Sequence, residues 1–164
     1  EITTRLVGSE MCIRDRAHVA AAEGLCAVRD CLGHDGRMDY SAVPSGIFTS
    51  PEIGCVGLAE AQASEAGRDV RTATFQMREL GKAQAMSELP GMFKIVSDGA
   101  TGKVLGVHIA GAHATDLIAE AGLALRLGAS VRDIAATIHA HPTLAEGLYE
   151  AAPVSYTHLT LPTN

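Results

Sequence analysis

The chain has 164 residues, a formal net charge of −6, 47% hydrophobic residues, only 4% aromatic residues and no tryptophan. That length suffices for a single hydrophobic core, which must rest on Ala, Val, Ile and Leu. The acidic balance offers no basic stripe for nucleic acid, and no apolar run approaches the roughly 20 residues of a membrane helix, so neither nucleic acid nor a bilayer is expected as a partner.

Residues 1–16 show no sustained period, and Leu6 to Arg16, like Val154 to Asn164 at the other end, resembles translated sequencing-adaptor read-through. Both flanks, 1–16 and 153–164, are expected to be non-native and receive no functional weight. From Ala17 to Leu32 the apolar positions Val19, Ala20, Ala22, Leu25 and Val28 fall at helical spacing, with Gly33 as the stop. His34 to Tyr40 is polar and turn-like and reads as a linker. Cys26 and Cys31 lie within that helix about 140° apart at ~100° per residue, so a local disulfide is not expected. With Cys12 and Cys55 they read as inert thiols of a reducing, cytoplasmic compartment.

Beyond the linker, Gly46 to Thr49 and Ile53 to Val56 read as short extended segments separated by Ser50, Pro51 and Glu52. Leu58 to Ala66 is a short Ala-rich helix ended by Gly67, and Val70 to Met77 alternates as a half-buried strand. Gly91 to Ser97 and Lys103 to Ile109 flank a turn at 98–102 and form a hairpin, in which Gly106 marks a bulge or a close backbone approach. Met77, Met86 and Met92 read as packing residues. Thr115 to Leu127 is the strongest helix, with Leu117, Ile118, Ala121, Ala124 and Leu125 on one face, Asp116 at the positive end and Gly128 as the stop. Ser130 and Asp133 form a capping box for a helix over Val131 to Ile138. The predicted fold is α+β, a largely antiparallel sheet flanked by helices.

The densest chemistry lies at 139–146, His-Ala-His-Pro-Thr-Leu-Ala-Glu, in a loop between two helices. An unperturbed imidazole titrates near ~6.5, so His141 can take and return a proton around neutrality, and Glu146 is the carboxylate placed to favour its charged form. Pro142 restricts His141 to extended geometry and makes the bond between them a candidate for cis. Three plainer readings stay open. Thr143 and Glu146 have the spacing of a capping box. His139, His141 and Glu146 are donor types of a metal site, although no Cys or further carboxylate cluster completes one. Either histidine, His139 by preference, is a hydrogen-bonded loop residue only.

Taken in order, Val43-Pro44-Ser45, the run Thr49 to Leu58, Gly91 to Val96, Gly102 to His108, Leu117 to Ala121 and the closing His-Ala-His-Pro-Thr-Leu-Ala-Glu carry a resemblance over about 110 residues. The stretch from Val43 to Ala152 resembles the C-terminal dimerisation (interface) domain of the pyridine nucleotide-disulfide oxidoreductases, most closely the dihydrolipoyl dehydrogenases. The resemblance implies a homodimer in which His141 and Glu146 form an acid–base pair serving the neighbouring subunit. There the histidine takes a proton from a dithiol, the thiolate attacks a redox-active disulfide, and electrons pass through FAD to NAD. The implied substrate is the dihydrolipoyl group of a carrier domain in a 2-oxo acid dehydrogenase complex.

Segment 17–40 is similar to the end of that family's FAD domain. The resemblance implies backbone approach to FAD at Ala17 and His18, and contact at Pro142, while Asp15 and Arg16 replace the family's residues at the two preceding positions. Gly-rich FAD and NAD segments are missing from this sequence. Cys26 and Cys31 share the family's C-x4-C spacing but lack its Gly-rich context and the following Pro-Ser-Lys. The expectation is therefore a fragment without turnover of its own, with 41–152 as the interface domain. The alternatives are the interface domain of another disulfide or mercuric reductase, and a purely structural homodimerisation module.

Overall fold

The structure, a computed structural model, describes residues 16–157. Cys12 and most of both expected flanks, 1–15 and 158–164, lie outside the described residues. The chain divides into two compact units, 1–40 and 41–164.

In the first unit, α1 runs from Ala17 to Cys31 and ends at Leu32, followed by Gly33 at φ 78°. Ala17 and His18 are exposed at its start. Its outer turns are tied to the linker by the Tyr40 hydroxyl, which donates to Glu23 Oε1 at 2.6 Å, and by Cys26 Sγ at 4.0 Å from Met38 Sδ. None of Cys26, Cys31 and, in the second unit, Cys55 forms a disulfide.

The second unit is built on five strands: β1 (Ser45–Ile47), β2 (Glu52–Gly57), β3 (Val70–Gln76), β4 (Met92–Asp98) and β5 (Val104–Gly111). They form one antiparallel sheet in the order β1-β2-β5-β4-β3. Alternation sorts the sheet's side chains. Val56, Ala73, Phe93, Ile95, Val107 and Ile109 share one face through the pairings Phe93 with Ile109 and Ile95 with Val107, and all six are buried. Full burial of each large member contributes roughly 1.5–3 kcal/mol.

Two helices cover that face. The first, α4 (Ala114–Leu127), lies on β2 and β5 and buries Ile118, Ala121 and Ala124, with Leu117 and Leu125 at the edge of the core. The second, α6 (Glu146–Thr157), lies on β3 and β4 and packs against the short α5 (Val131–Ala136). It continues past Ala152 through Pro153, and Ser155 is buried with its Oγ 2.8 Å from Ser97 Oγ. Across the sheet's other face, α2 (Glu60–Glu65) reaches β4 through an ion pair between Glu60 and Lys94 at 2.6 Å.

The predicted elements are all present, shifted by a few residues at their ends. Gly106 sits where a Cβ would run into the Leu58 backbone, and the register slips beside it between Val96 and Ser97, so both features expected at that glycine occur together. A 3-10 turn (Met77–Glu79) and α3 (Gly81–Met86) fill a stretch to which the sequence reading assigned no element. Met77 there is fully buried and Met86 packs against the core.

Candidate active site

The loop at 137–145 joins α5 to α6, and its geometry starts where α5 ends. Thr137 leaves the helix with φ −77° and ψ 125°, two residues earlier than the periodicity predicts, and its hydroxyl donates back to the Asp133 carbonyl at 2.8 Å. At the other end of α5 the predicted capping box is in place, with the Ser130 N–H 2.7 Å from Asp133 Oδ2. The chain is thus fixed before it enters the loop.

Glu146 is the first residue of α6, where a carboxylate suits the positive end of the helix. Its two oxygens do different work. Oε2 accepts the Thr143 N–H at 2.8 Å, and Oε1 lies 2.8 Å from His141 Nδ1. Half of the expected capping box therefore forms: the glutamate bonds the backbone, while the Thr143 hydroxyl turns away to donate to the Ala140 carbonyl at 2.7 Å. The Thr143 N–H first, and the His141 imidazole second, hold the Glu146 carboxyl below the usual carboxylate range. An ionised Glu146 takes the Nδ1–H of His141 and leaves Nε2 as the basic nitrogen.

The two partners differ in exposure. The His141 side chain is 78% exposed and that of Glu146 only 18%. Among the described residues Nε2 of His141 has no hydrogen-bond partner. The ring borders an open cavity of about 330 Å³ lined by Phe75, Glu79, Leu80, Gly81, Glu146 and Glu150. The His141–Pro142 bond is cis and Pro142 is exposed. This arrangement is a carboxylate-steered imidazole with one nitrogen open to an incoming proton donor.

His139 goes elsewhere. Its side chain is 6% exposed, with Nε2 at 3.0 Å from Glu120 Oε1 and Nδ1 at 2.9 Å from the Thr137 carbonyl oxygen. Both nitrogens are committed, so His139, His141 and Glu146 do not converge on one point. Among the described residues no three His, Cys, Asp or Glu side chains are grouped to hold a metal.

Three positioning residues escaped the sequence reading. Glu120, on the half-buried flank of α4, meets His139 across 19 positions of sequence, a separation that no local pattern flags. Glu52 of β2 caps α4 across 63 positions, its Oε2 accepting from the Thr115 N–H at 3.1 Å and the Thr115 hydroxyl at 2.7 Å. Thr115 so holds the Glu52 carboxyl below the usual range. Gly147, next to Glu146, lies so close to Phe93 that a Cβ would enter the ring. The absence of a side chain there lets the first turn of α6 settle on β4. A glycine directly after a capping carboxylate is the one signal that pointed to it.

With this geometry in place, comparison with known proteins is direct. The sequence profile of the pyridine nucleotide-disulphide oxidoreductase dimerisation domain matches residues 43–152. The chain belongs to this family. It is 44% identical over 136 residues to the dihydrolipoyl dehydrogenase of Haloferax volcanii and 46% identical over 136 residues to that of Chlamydia muridarum. Each alignment covers 83% of this chain and 29% of the relative. The crystal structure of LpdA from Mycobacterium tuberculosis superposes with a TM-score of 0.80 at 27% identity, covering 86% of this chain and 31% of that one. The chain thus spans about 29% of the length of the curated relatives it matches. As a dimerisation-domain sequence it has the α+β architecture expected of it, and no helix among the described residues is long and apolar enough to cross a membrane.

Proposed function

We propose that this dimerisation domain belongs to a dihydrolipoyl dehydrogenase-like homodimer and lends His141 and Glu146, as base and steering carboxylate, to the dithiol site of the partner subunit. The observation that carries this reading is the Nδ1–Oε1 contact of 2.8 Å on an imidazole that is otherwise 78% exposed. A ring anchored at one nitrogen and open at the other is arranged to act on a group that its own protomer does not supply.

The chemistry assigned to this chain's residues is proton transfer. Nε2 of His141 takes the proton of a dihydrolipoyl thiol, and the resulting thiolate is the nucleophile that opens a disulfide. The imidazolium so formed is stabilised by Glu146, whose second oxygen stays fixed by Thr143. Nε2 returns the proton to the thiolate expelled when that disulfide opens. In the full-length protein FAD, passing an electron pair to NAD, supplies the redox step. Ala17 and His18, exposed at the start of α1, are assigned to that cofactor. Pro142, exposed beside His141, is the third residue assigned to that cofactor.

The dimer is supported by apolar surface beside the site. Ile138 is 97% exposed immediately before His139, and Leu123 and Leu127 stand one turn apart on α4 at 60% and 73% exposure. The partner carrying the substrate is a lipoyl-bearing domain of a 2-oxo acid dehydrogenase complex, and cysteines outside any disulfide fit a reducing cytoplasm. Alone, the chain is expected to oxidise no dithiol.

The test is His141→Gln in the full-length flavoprotein. A dimeric, FAD-bound enzyme that loses roughly 10²–10⁴ in dithiol oxidation supports the acid–base role. Unchanged turnover leaves a homodimerisation module with a structural histidine.

A further inference from the structure

We propose that a second imidazole–carboxylate pair, His139 with Glu120, is the clamp that positions His141; the inference rests on the acid–base reading of His141. Nε2 of His139 lies 3.0 and 3.2 Å from the two oxygens of Glu120, and Nδ1 lies 2.9 Å from the Thr137 carbonyl oxygen. A carbonyl oxygen only accepts, so Nδ1 carries a hydrogen. Nε2 faces the carboxylate, so a hydrogen lies between the ring and Glu120. The ring further meets the Tyr149 ring with centroids 5.6 Å apart at 44°. It is held at once by α4 through Glu120, by the end of α5 through Thr137 and by α6 through Tyr149.

Only Ala140 separates this fixed ring from His141, and the Ala140 carbonyl is itself bonded by the Thr143 hydroxyl at 2.7 Å. The exposed His141 ring has a single side-chain bond, to Glu146. One bond leaves a surface imidazole free to swing about its own backbone, so the position of the backbone has to come from elsewhere in the loop. Glu120 and His139 supply it. They are positioning residues, and neither faces the open cavity that His141 borders.

The experiment is a double-mutant cycle in the full-length, FAD-bound dimer. Glu120→Ala is expected to lower kcat for dithiol oxidation by roughly tenfold or more with KM held within about twofold, as for a misplaced base. Glu120→Gln, whose amide still bonds Nε2, restores most of the rate. In a His141→Gln background Glu120→Ala causes no further fall, because one residue acts through the other. Where Glu120→Ala fails to fold, His139→Gln is read through the same cycle by the same criteria. Equal fractional losses in both backgrounds, or an undiminished kcat in the single variant, overturn the clamp while leaving His141 as the base. Undiminished turnover in His141→Gln alone removes base and clamp together. Nitrogen NMR reads the geometry without turnover: hydrogen bonds at both ring nitrogens of His139, with that at Nε2 lost in Glu120→Ala, are expected, and a freely exchanging His139 ring in the unmutated chain overturns the arrangement.

Discussion

Two histidines two residues apart, each facing a glutamate, end in opposite surroundings. His139 is 6% exposed and bonded at both nitrogens, whereas His141 is 78% exposed and bonded at one. An imidazole saturated by fixed acceptors can only hold a shape. One with a free nitrogen and a steering carboxylate can exchange protons with whatever approaches. The difference comes from what surrounds each ring: Glu120 on the half-buried flank of α4, the Thr137 carbonyl and the Tyr149 ring all close on His139, while among the described residues Glu146 alone bonds the His141 ring and spends its other oxygen on its own loop.

Four measurements break or sharpen that contrast. The largest expected effect is the loss of roughly 10²–10⁴ in dithiol oxidation for His141→Gln in the full-length protein, with its melting temperature unchanged because the ring is exposed. Next, His139→Ala reverses the pattern of stability. Leaving Glu120 and the Thr137 carbonyl without their donor costs about 1–3 kcal/mol, read as a lower denaturant midpoint, while His141→Ala shifts the same midpoint by less than about 0.5 kcal/mol. A result with the two values exchanged would remove the contrast altogether. Third, Gly147→Ala drives a methyl group into the Phe93 ring and is expected to destabilise the domain by about 1–3 kcal/mol. It should also loosen the Nδ1–Oε1 contact, visible as a change in the His141 ring resonances.

The smallest effect concerns acid. Glu146, Glu52, Asp98 and Asp133 are each held below the ordinary carboxylate value by donors that exist only in the fold. A carboxyl lowered in the folded state adds stability that is complete above its unfolded value, 4.5 for Glu146, and that is lost as pH falls through the lower folded value. Acid titration of stability should therefore steepen below 4.5, and Glu146→Gln should flatten it. His141→Gln should flatten it less, since the Thr143 N–H is the larger cause of the Glu146 shift. Equal flattening by the two variants would mean that the imidazole, and not the backbone, dominates that carboxylate.

The elements that could be read from sequence are those whose signal is local. The apolar stripe of α4, the alternation of β3, the hairpin turn at 98–102 and the Ser130–Asp133 cap all depend on neighbours within a few positions. The stretch from Met77 to Met86 gave no such signal: both of its short helical turns begin after residues that make no side-chain cap, and Gly81 opens α3. The early exit of α5 at Thr137 was equally hidden, because the carbonyl it frees is taken up by the ring of His139. In the loop, the sequence placed His141 beside Glu146 because five residues spanning a tight turn bring them together. It left three uses of that glutamate open; one of its oxygens meets His141 Nδ1 and the other accepts the Thr143 N–H.

What the sequence determined by itself was the family, the order of strands and helices, and the residue types at 139–146, since these follow from short-range periodicity and from motifs in fixed order. What only the tertiary structure decided was which histidine is buried. That choice depends on Glu120 lying 19 positions upstream, on Glu52 capping a helix 63 positions away and on a bare glycine against Phe93. Contacts of that range are set by how helices pack on a sheet, and no pattern within one turn of chain encodes them.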